Sequence, residues 1–333
     1  MKTSCLSRTA GLVRSLLVTA AVFAGAAAST VQAQTFPDKS RPIKVIVPSG
    51  AASVVDLLAR AYAKALTDTS ALNVVVENKA GAEMVIGVQA LVTAPADGYT
   101  LMVTSSSSQV LNPLMISNLP YDPLKDMVPV AGISKGGLVM NLGTSTTFQN
   151  GRDLIASARA NPGKYTCASA STTTRLACEL LQVTAGVKLL NVPYKTTAAA
   201  ITAVAAGEAD MIFVDVGSSR AQWSTGRVRG VAVTQTTRMP TLPNLPTLKE
   251  EGATDYDLTA WYAAYAPLKT PPEVLASLRD AMRKAASTKQ IAETLVTFSM
   301  EPMDLTGDAL TAHNRREIDT WGRVVRAQGI KPN

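Results

Sequence analysis

The chain has 333 residues, 47% of them apolar, 17% charged and 5% aromatic, with a formal charge of +7. That length builds two lobes with cores of their own, and the composition argues against disorder. The basic excess is spread thinly, without a dense patch interleaved with aromatics, which argues against nucleic acid as a partner.

The first 33 residues read as a secretory signal. Lys2, Arg8 and Arg14 make a basic start, residues 16–28 form an apolar run, and Val31-Gln32-Ala33 precedes Gln34 as a cleavage site. The run is short for a membrane anchor, and Cys5 lies ahead of it, so it is no lipidation cysteine. Cleavage near Ala33-Gln34 predicts a periplasmic protein with 29 basic and 25 acidic residues. Cys167 and Cys178 then remain; their spacing fits no metal motif, and the expectation is two buried thiols, with a disulfide as the alternative. His313 is the single histidine, which weighs against hydrolases, proton shuttles and histidine-based metal sites.

Short apolar runs alternate with helical patterns along the mature chain. Residues 43–47 read as a strand ending at Pro48 and Gly50. A helix follows from Ser53, with Val55, Leu58, Tyr62 and Leu66 on one face. Strands at 74–76 and 99–103 flank a helix at 84–92, which ends at Pro95 and the Asp97-Gly98 turn. After a stretch punctuated by Pro113, Pro120, Pro123 and Pro129, the rhythm repeats: helix 152–160, strand 165–168, a helix with Leu176, Leu180 and Val183 on its face, strand 189–192, helix 198–206 and strand 211–215. A short helix carrying Trp223 leads to a strand at 231–234. Pro271-Pro272 starts a helix with Leu275, Leu278 and Met282 inward, and the last helix places Leu310, Ile318, Trp321 and Val325 on one side. This is α/β logic run twice: two lobes, each a mainly parallel sheet flanked by helices. Residues 36–135 with 258–333 are expected to form one lobe and 136–257 the other.

Ligands of open parallel sheets sit beyond the carboxyl ends of strands, which singles out four loops. The first, Ser49-Gly50-Ala51-Ala52-Ser53, pairs Ser53 with Asp56 in a capping-box spacing and offers the amides of a helix start to an anion; Val55 belongs to its first turn. The second is the serine run from Ser105 and Ser106 to Ser108. The third is Ser169-Ala170-Ser171-Thr172-Thr173-Thr174, again leading into a helix and offering hydroxyls and amides, with Ser169 to Thr172 as the candidate contacts. The fourth is Tyr194-Lys195-Thr196, suited to gripping an anion or covering a ring. Asp215 ends a further strand. Each loop also reads as an ordinary cap or turn; their joint placement in both lobes is what points to a cleft. Gly132-Ile133-Ser134-Lys135-Gly136 matches a nucleophile elbow, but an apparent strand at 138–140 follows it instead of the required helix. Glu250-Glu251 reads as a solvated pair.

Several strings resemble one family throughout the mature chain. They are Arg41-Pro42-Ile43, Val76-Glu77-Asn78, Ala94-Pro95-Ala96-Asp97-Gly98-Tyr99-Thr100, Leu119-Pro120-Tyr121-Asp122-Pro123-Leu124-Lys125-Asp126, Asn161-Pro162-Gly163-Lys164 and Val192-Pro193-Tyr194-Lys195, with Leu242-Pro243 and Pro246-Thr247 beyond them. They are similar to the Bug (Bordetella uptake gene) family, TctC-like extracytoplasmic receptors of tripartite tricarboxylate transporters. The resemblance implies a two-lobed periplasmic binding protein of type II-like fold with two crossover strands. It also implies a small organic acid or related metabolite as ligand, no metal or cofactor, no catalysis, a monomer, and the transporter's membrane subunits as partners.

The chain departs from the family pattern where the ligand should lie. The first loop, usually glycine-rich and ending in Thr-Asp, here reads Gly50-Ala51-Ala52-Ser53-Val54-Val55-Asp56. The usual Gly-Ala-Gly-Gly-Asn is Gly81-Ala82-Glu83-Met84-Val85, and Thr196 replaces a glycine. Added methyls fill space, and Glu83 adds negative charge, so the expectation is a ligand smaller or less anionic than a dicarboxylate, or one carrying an amine. Glu83 pointing to solvent is the alternative. Two other functions are set beside the transport receptor: a sensor for a membrane signalling partner, and a serine esterase using Ser134.

Overall fold

Helix boundaries follow capping chemistry already present in the sequence. In the computed structural model, which describes residues 36–327 and 329–332, Ser53 caps α1 (Val54–Ser70) by accepting from the Asp56 amide at 3.3 Å. The reciprocal bond of the expected capping box goes one residue astray, since Asp56 Oδ2 accepts from Ala52 N at 2.9 Å. The signal segment lies outside the described residues.

The strands β1 (Ile43–Val47), β2 (Val74–Asn78) and β3 (Thr100–Ser105) pair in parallel around β1, with α1 and α2 (Val85–Val92) as crossovers. A π-helical turn (Ser107–Leu111) and the short α3 (Asn112–Met115) then lead to β4 (Met127–Gly143). The second set comprises α4 (Gly151–Ala160), β5 (Thr166–Ser169), α5 (Thr172–Ala185), β6 (Leu190–Pro193), α6 (Thr197–Ala206), β7 (Met211–Asp215), α7 (Val216–Trp223) and β8 (Val228–Val233). The chain returns through β9 (Thr259–Pro267) to α8 (Pro272–Ala286), α9 (Lys289–Thr297), β10 (Glu301–Pro302) and α10 (Gly307–Ala327).

The strands run in the order β2-β1-β3-β9-β4-β7-β5-β6, with β8 and β10 also on β4. The flanks are parallel and the middle is antiparallel. β4 is the shared element: it lies against β9 up to Gly137, and against β7 and β8 from Leu138 and Val139 onward. The segment before β9 stays with the second set, where Leu258 N donates to Thr234 O at 3.0 Å. On one side α1 packs on α8 over a core containing Ile43, Leu58 and Tyr62. On the other, Ala200, Ile201 and Val204 of α6 pack with Ala168, Ile212 and Val214.

Three expectations need correction, and the reading of the string at 132–136 holds. Cys167 and Cys178 are not free thiols but a disulfide, S–S 1.99 Å, tying β5 to α5. Gly132 to Gly136 lies inside β4, in line with the strand read at 138–140, so Ser134 stands on no strand-to-helix turn; it is buried and donates to Met300 Sδ at 3.4 Å. His313 instead sits edge-on to Trp261, ring centroids 5.4 Å apart. Of the carboxylates taken as solvated, Glu251 is buried and accepts from Arg152 N at 2.7 Å, serving the start of α4. Val183 faces solvent rather than the core of its helix. No described helix is long and apolar enough to cross a membrane.

Candidate functional site

The carboxyl ends of β1, β3, β5, β6 and β7 surround one small cavity. The space open to the centre of a water molecule there is about 60 Å³.

One wall comes from the first set of elements. Ser49, Gly50, Ser53 and Val55 face the cavity, and Ser49 Oγ and Ser53 Oγ share a 2.7 Å hydrogen bond. The loop is fixed by Asp56, 2% exposed, which accepts from Ala52 N, from Asn78 Nδ2 at 2.9 Å and from Arg60 Nε at 3.0 Å. Burial alone would raise the Asp56 carboxyl, but its bonds to Arg60, Asn78 and Ala52 outweigh that and hold it below the ordinary value. Ser105 at the end of β3 completes this wall.

Glu83 also lines the cavity, on a run of left-handed backbone: φ is 46° at Ala82, 50° at Glu83 and 78° at Met84. Its carbonyl accepts from Asn112 Nδ2 at 2.9 Å. Its Oε1 lies 3.5 Å from Nε of Arg175, a guanidinium 4% exposed whose Nη2 donates to Met115 O at 2.9 Å. Burial pushes the Glu83 carboxyl up and Arg175 pulls it back.

The opposite wall is built by the second set. Ser171 and Thr174 form a complete capping box at the start of α5, and Ala170 and Ser171 face the cavity. Lys195 and Thr196 open α6, where Thr196 Oγ1 accepts from Ala199 N at 3.2 Å. The two walls touch. A Cβ on Gly50 would meet Thr196 Cγ2 at 2.8 Å, so this close approach requires glycine. Asp215 is buried at the floor as the cap of α7, accepting from Ser218 N at 2.7 Å and Ser218 Oγ at 2.9 Å. Burial drives its carboxyl up against those bonds. Tyr262 of β9 faces the same space, its phenol pushed well up by burial and by Asp215.

Beside the cavity a buried polar seam joins the walls. Ser107 Oγ and Thr173 Oγ1 lie 2.6 Å apart, and Thr172 Oγ1 donates to Asn112 Oδ1 at 2.7 Å. Thr172 therefore belongs to the seam, not the cavity. Six more expected residues fall outside the lining. Ala51, Ala52 and Ala82 are exposed turn residues. Ser106 is buried with an unpartnered Oγ, and Ser169 is buried, its carbonyl accepting from Tyr194 N. Tyr194 packs on the Ile212–Val214 core. Sequence reasoning missed Tyr262, Leu138 and Met84, which line the cavity together with Thr173 and Thr174 of the third loop. Tyr262 was findable, because residues 260–266 are a continuous apolar run long enough for a buried strand. Among the described residues, no three His, Cys, Asp or Glu side chains come together as metal ligands.

A mixed sheet shared between two sets of helices, with a polar cavity at the strand ends, is the architecture of a two-lobed periplasmic solute-binding protein. The chain belongs to the TctC family, the tripartite tricarboxylate transporter family receptors, whose model matches residues 58–330. It is 31% identical over 307 residues to protein BugT of Bordetella pertussis, covering 91% of this chain and 94% of that one. It is likewise 31% identical over 297 residues to a UPF0065 protein of the tcbD-tcbE intergenic region in a Pseudomonas species, covering 88% of each. Among solved structures it resembles the periplasmic binding protein BugD at 26% identity and a TM-score of 0.83, over 88% of this chain and 99% of that chain. It also resembles Rpa4515 of R. palustris, solved with adipate, at 28% identity and a TM-score of 0.84, over 90% of this chain and 100% of that chain.

Proposed function

We propose that this protein is a non-catalytic receptor that captures a small carboxylate-type or amino-bearing metabolite between two lobes and hands it to the membrane subunits of a tripartite transporter. The lobes are residues 36–135 with 258–333, and residues 136–257; the protein works as a monomer in the periplasm after cleavage near Ala33. The observation that carries this reading is the cavity, which draws polar side chains and helix starts from both sets of elements. Helix N-termini and hydroxyls offer the donors and acceptors that hold a small polar solute.

A thermal-shift screen of ligand-stripped protein against organic acids and amino acids tests it. A binder at 100-fold its Kd stabilises the protein by about 2.7 kcal/mol through mass action. The hit should also reduce the radius of gyration in solution scattering, as the lobes close. A protein that stays rigid and indifferent to the whole library would refute the receptor reading.

A further inference from the structure

We propose that the cavity selects a small amino monocarboxylate in its zwitterionic form, the ammonium group resting on Glu83 and the carboxylate turned toward Lys195. This rests on the receptor reading and adds the ligand's charge and orientation.

The charges lining the cavity are not equivalent. Asp215 is already committed, since both of its oxygens accept from Ser218. Glu83 is not. Neither of its carboxylate oxygens accepts a hydrogen bond from the described residues, and at 3.5 Å the Arg175 contact is an ion pair too long for a good hydrogen bond. An ionised carboxylate is an acceptor at both oxygens and calls for donors once water leaves. An ammonium group brings three donors and the opposite charge. Arg175 itself does not line the cavity. It stands behind Glu83, tethered to Met115 O, and acts as a positioning residue that keeps the carboxylate in place and charged.

Lys195 supplies the other pole. It lines the cavity from an exposed position, and no acidic side chain among the described residues lies within ion-pair distance of it. A carboxylate there also lies among the starts of α1 and α6. A dianion of succinate length would place its second carboxylate against Glu83 or Asp215, where like charges repel at short range.

The test is calorimetry on ligand-stripped protein with glycine, alanine, β-alanine, propionate and succinate. At least one amino acid should bind about 10-fold or more tightly than propionate, which shares the carboxylate and lacks the amine, and succinate should not bind measurably. Glu83→Gln should abolish the preference for the amine, leaving amino acid and propionate within about 2-fold. Lys195→Gln, at an exposed position, should weaken both alike. Melting curves check that each variant is folded. Succinate or propionate binding as well as the amino acids would overturn this proposal while leaving the receptor reading standing. So would an amine preference that survives in Glu83→Gln. Silence toward all five probes also overturns it, and the broader library then decides the receptor reading separately.

Discussion

Gly50→Ala isolates the closed cleft from the rest of the fold. The new methyl would lie 2.8 Å from Thr196 Cγ2 and 3.0 Å from Thr196 Cβ, inside the distance real side chains tolerate. Thr196 cannot easily turn away, because a β-branched side chain is stiff and its Oγ1 is held by the Ala199 amide. One unaccommodated methyl in a packed interface costs about 1–3 kcal/mol. In the proposed receptor cycle, opening of the lobes separates Gly50 from Thr196, so the cost is expected to fall on the closed state alone. Ligand affinity should then fall by about 5- to 150-fold, while the melting point of the ligand-free protein changes little. Thr196→Ser removes Cγ2 and keeps the capping hydroxyl, so Gly50→Ala with Thr196→Ser should recover most of the lost affinity. Calorimetry of the two single variants and the double variant against the best ligand measures the coupling. Wild-type affinity in Gly50→Ala, or a deficit that Thr196→Ser leaves intact, would refute the contact across the cleft.

Asp56→Ala removes the buried acceptor that serves Ala52, Asn78 and Arg60, and should cost about 2–4 kcal/mol in urea unfolding, most of it from the bonds to Ala52 N and Asn78 rather than the exposed arginine. Because the Asp56 carboxyl is held below its ordinary value of 3.8, this contribution is complete above that pH and disappears as pH falls through the folded value. Asp215→Asn tests the opposite sign: burial raises this carboxyl above 3.8, so the wild type loses stability as pH rises through the raised value. An asparagine still caps α7, so the melting difference in favour of the variant should grow from acid toward neutral pH; a constant difference would exclude the assigned shift. Replacing Cys167 and Cys178 together by serine opens a ring spanning 11 positions and should cost about 2–3 kcal/mol in chemical unfolding. It should also weaken ligand binding, since Ser169 to Thr174 lie within the ring; unchanged affinity would show that the disulfide does not organise this loop.

The alternation of strands and helices was legible because period and capping agree along most of the chain. Ser53, Ser171, Thr196 and Asp215 each begin a helix by the chemistry their side chains advertise. Placing the loops at strand ends followed from parallel topology, which is why Ser49, Glu83, Ser105, Ser171, Lys195 and Asp215 do share one cavity. What escaped depends on side-chain direction or on distant packing. Tyr194 and Lys195 are neighbours, yet one covers a core and the other a cavity. The disulfide needs β5 and α5 folded against each other, bringing the two Cα atoms to 6.1 Å, before spacing means anything. Nothing in the sequence singled out Arg175; its value as the partner of Glu83 arises when α5 meets the loop before α2.

The turn from Gly81 to Met84 carries a last implication. Three non-glycine residues in succession adopt a conformation disfavoured by their own Cβ atoms, at about 1 kcal/mol or more apiece. A glycine at Ala82 would relax that tension at no loss of recognition, because its methyl faces solvent. Glycine at Glu83 would relax it equally and discard the carboxylate. Comparing those two substitutions separates, within a single bend of chain, what the molecule tolerates from what it needs.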